Sequence, residues 1–172
     1  MSPPGSRAGT ILLPLLLYFS TSGAFLFGYA KPVPVNFGAL NNPRRDMVWV
    51  ALAGPASNWV QALVWAAVWL VLKSQPEAEA FFVEMAQAGV MVNLVMFAFN
   101  LFPLPPLDGG RILVGLLPMR LAIAVSRVEP YGFFIVMALV LTGVVGGLWL
   151  RPLMAWTYQS IDTVLWPLRT LL

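Results

Sequence analysis

The chain has 172 residues, of which 59% are hydrophobic and 10% are charged, whereas soluble domains average roughly 45 to 50% and 25%. This composition excludes a water-soluble globule and a disordered chain. The ten lysines and arginines are dispersed, so no basic patch predicts nucleic-acid binding, and the net charge of +3 suits a membrane surface. The sequence contains no histidine and no cysteine. Without histidine and cysteine, catalysis by this chain alone would depend on carboxylates, hydroxyls, lysine or tyrosine.

Apolar stretches of span length dominate the chain. Four of them are long enough, or nearly so, to cross ~30 Å of hydrocarbon, and they comprise residues 11–30, 47–72, 80–102 and 131–150. The residues after Pro152 mix charged and aromatic side chains and predict an interfacial helix. Segments 31–46 and 103–130 hold six of the ten lysines and arginines, which places both segments in the cytoplasm. The sequence predicts an all-α polytopic bundle of about four spans in the cell membrane, with residues 1–172 as a single membrane domain.

Two helix starts carry recognisable chemistry. Asn42 and Pro43 predict the N-cap and first residue of the second span, and Asp46 places a carboxylate at the positive end of its dipole. Ser74 and Glu77 match a capping box. This spacing predicts that the third helix starts directly after residue 73.

The stretch that follows the third span breaks the helical pattern. It contains three prolines and two glycines, namely Pro103, Pro105, Pro106, Gly109 and Gly110. Unwound backbone at membrane depth needs protein partners or a wet cavity. We therefore expect a proline-broken third span whose enclosed end carries Asp108, with Asn100 before it. The same residues also fit an ordinary turn, in which Asp108 caps the next helix and pairs with Arg111.

A run of small residues marks the second span, and Asn58 follows it. The run comprises Ala51, Ala53, Gly54, Pro55 and Ala56. Small residues allow close approach of other backbone, so we expect segment 103–108 to pack on this face. Asn58 fits helix packing and support of an active site equally well. Asn93 lies seven residues before Asn100, on the same helical face, and is predicted to line the same cavity.

Residues 100–110, taken with residues 53–58, resemble the site-2 protease family of intramembrane zinc metalloproteases, and in particular its compact bacterial type. The string N-x-x-P-x-P-P-L-D-G-G downstream of A-G-P-x-x-N is more specific than either part alone. Residues 27–36, 42–46 and 129–132 are similar to that family as well. The resemblance therefore covers nearly the whole chain, as the C-terminal part of a site-2 protease core.

The resemblance implies roles for two residues. Asp108 corresponds to the third zinc ligand, beside the two histidines of an H-E-x-x-H helix, and Asn100 corresponds to the catalytic asparagine that stabilises the oxyanion. We expect support of the cavity from Asn58, Gly54, Pro55, Asn93, Gly109 and Gly110. This sequence lacks the H-E-x-x-H helix, with both histidines and the glutamate base. We expect a chain truncated at its N-terminus, which is inactive as given and binds no zinc alone.

Three functions compete. The first is an intramembrane zinc metalloendopeptidase that cleaves membrane-embedded protein substrates; its partners are membrane lipid, a substrate helix, and an upstream segment or partner chain that supplies the zinc helix. The alternative is a non-catalytic pseudoprotease that binds membrane helices or a partner protein. A transporter half, which broken helices also fit, is disfavoured because the chain lacks internal repeats. An H-E-x-x-H motif encoded in frame upstream of Met1 would favour the first, and a true stop the second.

Overall fold

The computed structural model describes residues 42–172, so the predicted first span, residues 11–30, lies outside the described residues. The elements follow one another as α1 (Pro43–Lys73), α2 (Ala80–Asn100), α3 (Asp108–Leu116), α4 (Met119–Ser126), α5 (Glu129–Leu141), a π-helical segment (Val145–Leu150) and α6 (Arg151–Leu171). Residues 42–172 contain no strand. The predicted all-α class is confirmed.

Helix α1 begins where its sequence predicts. Pro43 opens the helix, where a proline costs little because the first turn leaves its backbone N–H groups unpaired. The side chain of Asn42 does not cap the helix. Instead, the carboxylate of Asp46 accepts a hydrogen bond from the backbone N–H of Asn42 at 3.1 Å.

The prediction of a capping box at Ser74 and Glu77 is wrong. Ser74 ends α1, and its hydroxyl donates to the carbonyl of Val71 at 2.8 Å. Helix α2 begins six residues later, after Glu79. A serine hydroxyl that bonds back to the preceding turn no longer caps the next helix, so the capping pattern at Ser74 belongs to the end of α1.

Small side chains hold α1 and α2 together. The buried residues of these helices are Ala51, Pro55, Ala62 and Ala66 on α1, and Ala86, Val90, Leu94 and Ala98 on α2. The spacing of four on α2 forms a continuous ridge, the geometry that packs helices closely. From α6, Ile161 joins this core. A Cβ on Gly89 would lie 2.5 Å from the ring of Trp65, so this glycine makes room for the indole.

The described residues contain two helices long and apolar enough to cross a membrane, Arg44–Lys73 and Ala80–Asn100. Helices α4 and α5 add a third crossing if this pair, bent by 67°, counts as one span. The predicted span 131–150 is not one continuous α-helix, because α5 ends at Leu141 and Gly143 takes a φ of 76°. A left-handed residue of this kind terminates a helix. The helix predicted after Pro152 is present as α6.

Candidate functional site

The chain leaves the helical path directly after Asn100. Helix α2 ends there, α3 begins at Asp108, and residues 101–107 form turns and bends between them. Within this segment the N–H of Leu107 donates to the carbonyl of Leu104 at 3.0 Å. Residues 101–107 are therefore non-helical, as expected of a segment with three prolines.

The two ends of this segment fold onto each other. A Cβ on Gly109 would overlap the backbone carbonyl of Leu101, so only glycine fits there. Leu101 follows Asn100, and Gly109 follows Asp108. The fold thus brings the backbones of Asn100 and Asp108 close together, although seven residues separate them.

The middle of the segment is enclosed by two further glycines. Added Cβ atoms on Gly110 and on Gly132 of α5 would both overlap the backbone of Pro105. Sequence reasoning gave Gly132 no part in the site. The sequence Glu-Pro-Tyr-Gly, which ends at Gly132, contributes to the family resemblance. The contact of Gly132 with Pro105, 27 positions earlier, is visible only in the fold.

The start of α3 lies against α1. A Cβ on Gly54 would be 3.0 Å from Oδ2 of Asp108, so the expected packing of this segment on the small-residue face is observed at Asp108. The carboxylate is half-buried. Asp108 occupies the first turn of α3, while Leu107 is the N-cap residue.

The other end of α3 is tied to the start of α1. The guanidinium of Arg44 donates to the carbonyls of Val114, at 3.5 Å, and Leu117. Val114 lies in the last turn of α3 and Leu117 is its C-cap residue, so these carbonyls lack partners within the helix. Helix α3 therefore runs antiparallel to α1, from Gly54 back to Arg44. These positions are ten residues apart along α1, which is about 15 Å along the helix axis.

A tryptophan holds the end of α2. The indole N–H of Trp149 donates to the carbonyl of Ala98 at 2.8 Å, and its ring meets that of Phe102 edge-on at 5.6 Å. In a continuing helix the N–H of Phe102 would pair with Ala98, but it donates to Phe99 instead. The indole N–H of Trp149 thus supplies the carbonyl of Ala98 with the hydrogen bond that the backbone N–H of Phe102 would give in a longer helix. Sequence reasoning missed this residue.

The three asparagines differ in their surroundings. Asn58 lies one helical turn after Gly54 and is half-buried, as is Asn100 at the end of α2. The amide of Asn93 donates to the carbonyl of Gly89, on its own helix, at 2.8 Å. Asn58 therefore shares a face with the glycine that touches Asp108, whereas Asn93 is bonded within α2.

The residues of this chain do not form a zinc site by themselves. Within residues 42–172 no three side chains of the ligand types histidine, cysteine, aspartate or glutamate converge, and the sequence has no histidine or cysteine at all. A catalytic zinc takes three protein ligands and one open position. Asp108 can supply one carboxylate to such a set.

Comparison with known proteins points to a single family. Residues 72–143 match the sequence model of "Peptidase family M50". Over 127 residues the chain is 35% identical to "Putative zinc metalloprotease YwhC" of Bacillus subtilis (strain 168). The matched region covers 67% of this chain and 55% of that protein. The chain thus spans about half the length of this curated relative. No solved structure matches the chain.

Proposed function

Because this chain is related to the site-2 protease family, peptidase family M50, we propose that it forms part of an intramembrane zinc metalloprotease that cleaves membrane-embedded protein substrates. The observation that carries the proposal is the contact between Asp108 and Gly54. It joins the D-G motif after the proline segment to the A-G-P motif of α1. Two motifs that are distant in sequence and typical of one family are neighbours in space.

Asp108 is proposed as a zinc ligand. Its carboxylate lies against Gly54 of α1 and is half-buried, which supports a position inside the fold rather than on a solvated surface. When bound, zinc in this family activates water for attack on a peptide bond. The remaining ligands would come from an H-E-x-x-H helix on an upstream segment or a partner chain, and these 172 residues alone are not expected to bind zinc or to cleave.

Asn100 is proposed to donate a hydrogen bond from its side-chain amide to the oxyanion that forms during hydrolysis. A donor for this role must be held before the reaction begins. Three contacts support such fixation of the end of α2, namely those between Leu101 and Gly109, between Trp149 and Ala98, and between Trp149 and Phe102.

We propose about four spans in the cell membrane, with the third span ending at the proline segment. Helix α1 is about 46 Å long at 1.5 Å per residue, more than the ~30 Å of hydrocarbon. Asp108 contacts this helix about 15 Å from Arg44, which supports a position at membrane depth. The non-helical backbone there is enclosed by Gly109, Gly110 and Gly132, as backbone at that depth requires. A substrate helix would approach this site from the surrounding lipid.

The test uses the protein together with an H-E-x-x-H segment, encoded upstream of Met1 or on a partner chain. Asp108→Ala should abolish cleavage and weaken zinc binding, because a direct bond to the metal is lost. Asn100→Ala should retain zinc and lower the rate by ~100- to 1,000-fold, the loss typical of one oxyanion donor. Zinc per chain and the rate of substrate cleavage are the two measurements.

Glu129→Gln is the matched control, because Glu129 is an exposed carboxylate outside the proposed site. It should leave both quantities near those of the wild type. Full zinc occupancy in Asp108→Ala would disprove the ligand role. An assembled protein that binds substrate helices but never cleaves them would favour the pseudoprotease.

A further inference from the structure

A cavity lies at the opposite end of α3 from Asp108. It has a volume of about 540 Å³, within the ~300 to 1,000 Å³ typical of ligand sites. The first turn of α1 forms one wall and the corner between α3 and α4 forms the other. The lining residues are Asn42, Arg44, Arg45, Gly115, Leu116, Leu117 and Pro118.

The two arginines that line this cavity have different environments. Arg44 bonds the carbonyls of Val114 and Leu117 and closes the end of α3. Arg45, the next residue, is exposed and lines the same cavity. The nearby carboxylate of Asp46 accepts the N–H of Asn42. Two guanidinium groups therefore line the cavity, whereas Asp46 is not among its lining residues, and Arg45 is the cation placed to meet an incoming anion.

The surroundings of the cavity place it at the boundary between lipid and water. Helix α1 is a candidate span from Arg44 onward, and its length exceeds the hydrocarbon thickness, so its first turns reach the headgroups. Trp49, one turn after Arg45, is 68% exposed, as is typical of tryptophans at a membrane interface. Leu116 lines the cavity and is 71% exposed. Cationic and exposed apolar groups meet here.

We propose that this cavity binds the headgroup phosphate of an anionic phospholipid, with Arg45 as the phosphate-binding residue. The planar guanidinium offers paired N–H donors that match phosphate oxygens. The exposed side chains of Trp49 and Leu116 contact the glycerol and upper acyl region. A free phosphate ion would use only the arginines, so the apolar rim favours a lipid. Basic pockets beside membrane helices bind anionic lipids through the same chemistry.

The test compares lipid binding by the purified 172-residue chain in detergent. Native mass spectrometry with equal amounts of phosphatidylglycerol and phosphatidylcholine should show preferential binding of phosphatidylglycerol. Arg45→Gln should weaken that binding about fivefold, the effect of one cation near an anionic membrane surface. Arg45→Lys should retain part of the preference. Arg127→Gln is the control, because Arg127 is exposed and lies outside the cavity.

Each other outcome contradicts the proposal. Equal binding of phosphatidylglycerol by wild type and Arg45→Gln would show that the cavity is not its site. An equal loss in Arg127→Gln would show attraction to general surface charge. Thermal stabilisation by inorganic phosphate, in detergent micelles that contain phosphatidylcholine, equal to the stabilisation by phosphatidylglycerol would show a site for a free anion. None of these measurements depends on zinc or on cleavage, so they are independent of the proposed protease function.

Discussion

Single residues decide how closely the D-G motif at Asp108 approaches the A-G-P motif of α1, and Gly54 is the clearest case. Alanine in place of a glycine inside a helix usually stabilises it by ~0.5 to 1 kcal/mol, but a methyl group here would lie 3.0 Å from Oδ2 of Asp108. We expect Gly54→Ala to give no gain in the wild type and a gain of ~1 kcal/mol in the Asp108→Ala background. Free energies of unfolding in detergent measure this coupling. Equal effects in both backgrounds would show that the two residues do not touch.

The residues of the site differ in how far sequence predicts them. The small residues around Gly54 led us to expect that segment 103–108, which ends at Asp108, packs on that face of α1, but the sequence did not specify the contact between these two residues. Gly132 and Trp149 were not foreseen, because their partners, Pro105 and Ala98, are remote in sequence. A glycine or tryptophan in an apolar stretch is compatible with packing, lipid contact or an interface position, and only the fold decides among them.

At the scale of elements, the end of α2 depends on a side chain from the π-helical segment. Trp149→Phe keeps an aromatic ring against Phe102 but removes the N–H that bonds Ala98. We expect a loss of ~1 kcal/mol in the free energy of unfolding, the net contribution of one hydrogen bond. Trp156→Phe is the control, since Trp156 on α6 is 63% exposed. Equal stability of both variants would mean that the carbonyl of Ala98 needs no partner.

Element boundaries were predictable where local chemistry alone sets them. The start of α1 at Pro43 follows from the lack of an N–H on proline, and the structure agrees. The predicted start of α2 is too early, because the hydroxyl of Ser74 donates to the carbonyl of Val71 in the preceding helix. A capping pattern in the sequence does not show whether the serine belongs to the end of one helix or to the start of the next. The stretch 131–150 reads as one continuous apolar run, and hydropathy does not reveal that Gly143 takes a positive φ and divides it.

At the scale of the whole molecule, α1 and α2 form a hairpin whose turn and open end should lie on opposite sides of the membrane. The turn contains Gln75, and the open end leads through α3 to Arg120; both residues are exposed. Among residues 42–130, five arginines belong to the Arg120 side and Lys73 is the basic residue at the turn. The positive-inside rule therefore predicts that Arg120 lies in the cytoplasm and Gln75 outside.

Single cysteines test this arrangement directly, because the chain has none of its own. In intact cells, Gln75→Cys should react with a membrane-impermeant maleimide, whereas Arg120→Cys should react only after the cells are opened. Both positions are polar and exposed, so either substitution should leave the helices intact, and unfolding in detergent checks that it does. Reaction of both cysteines in intact cells, or of neither, would mean that α1 and α2 do not form a spanning hairpin. Reaction of Arg120→Cys alone would keep the hairpin but invert it, and would show that the excess of arginines does not set the orientation.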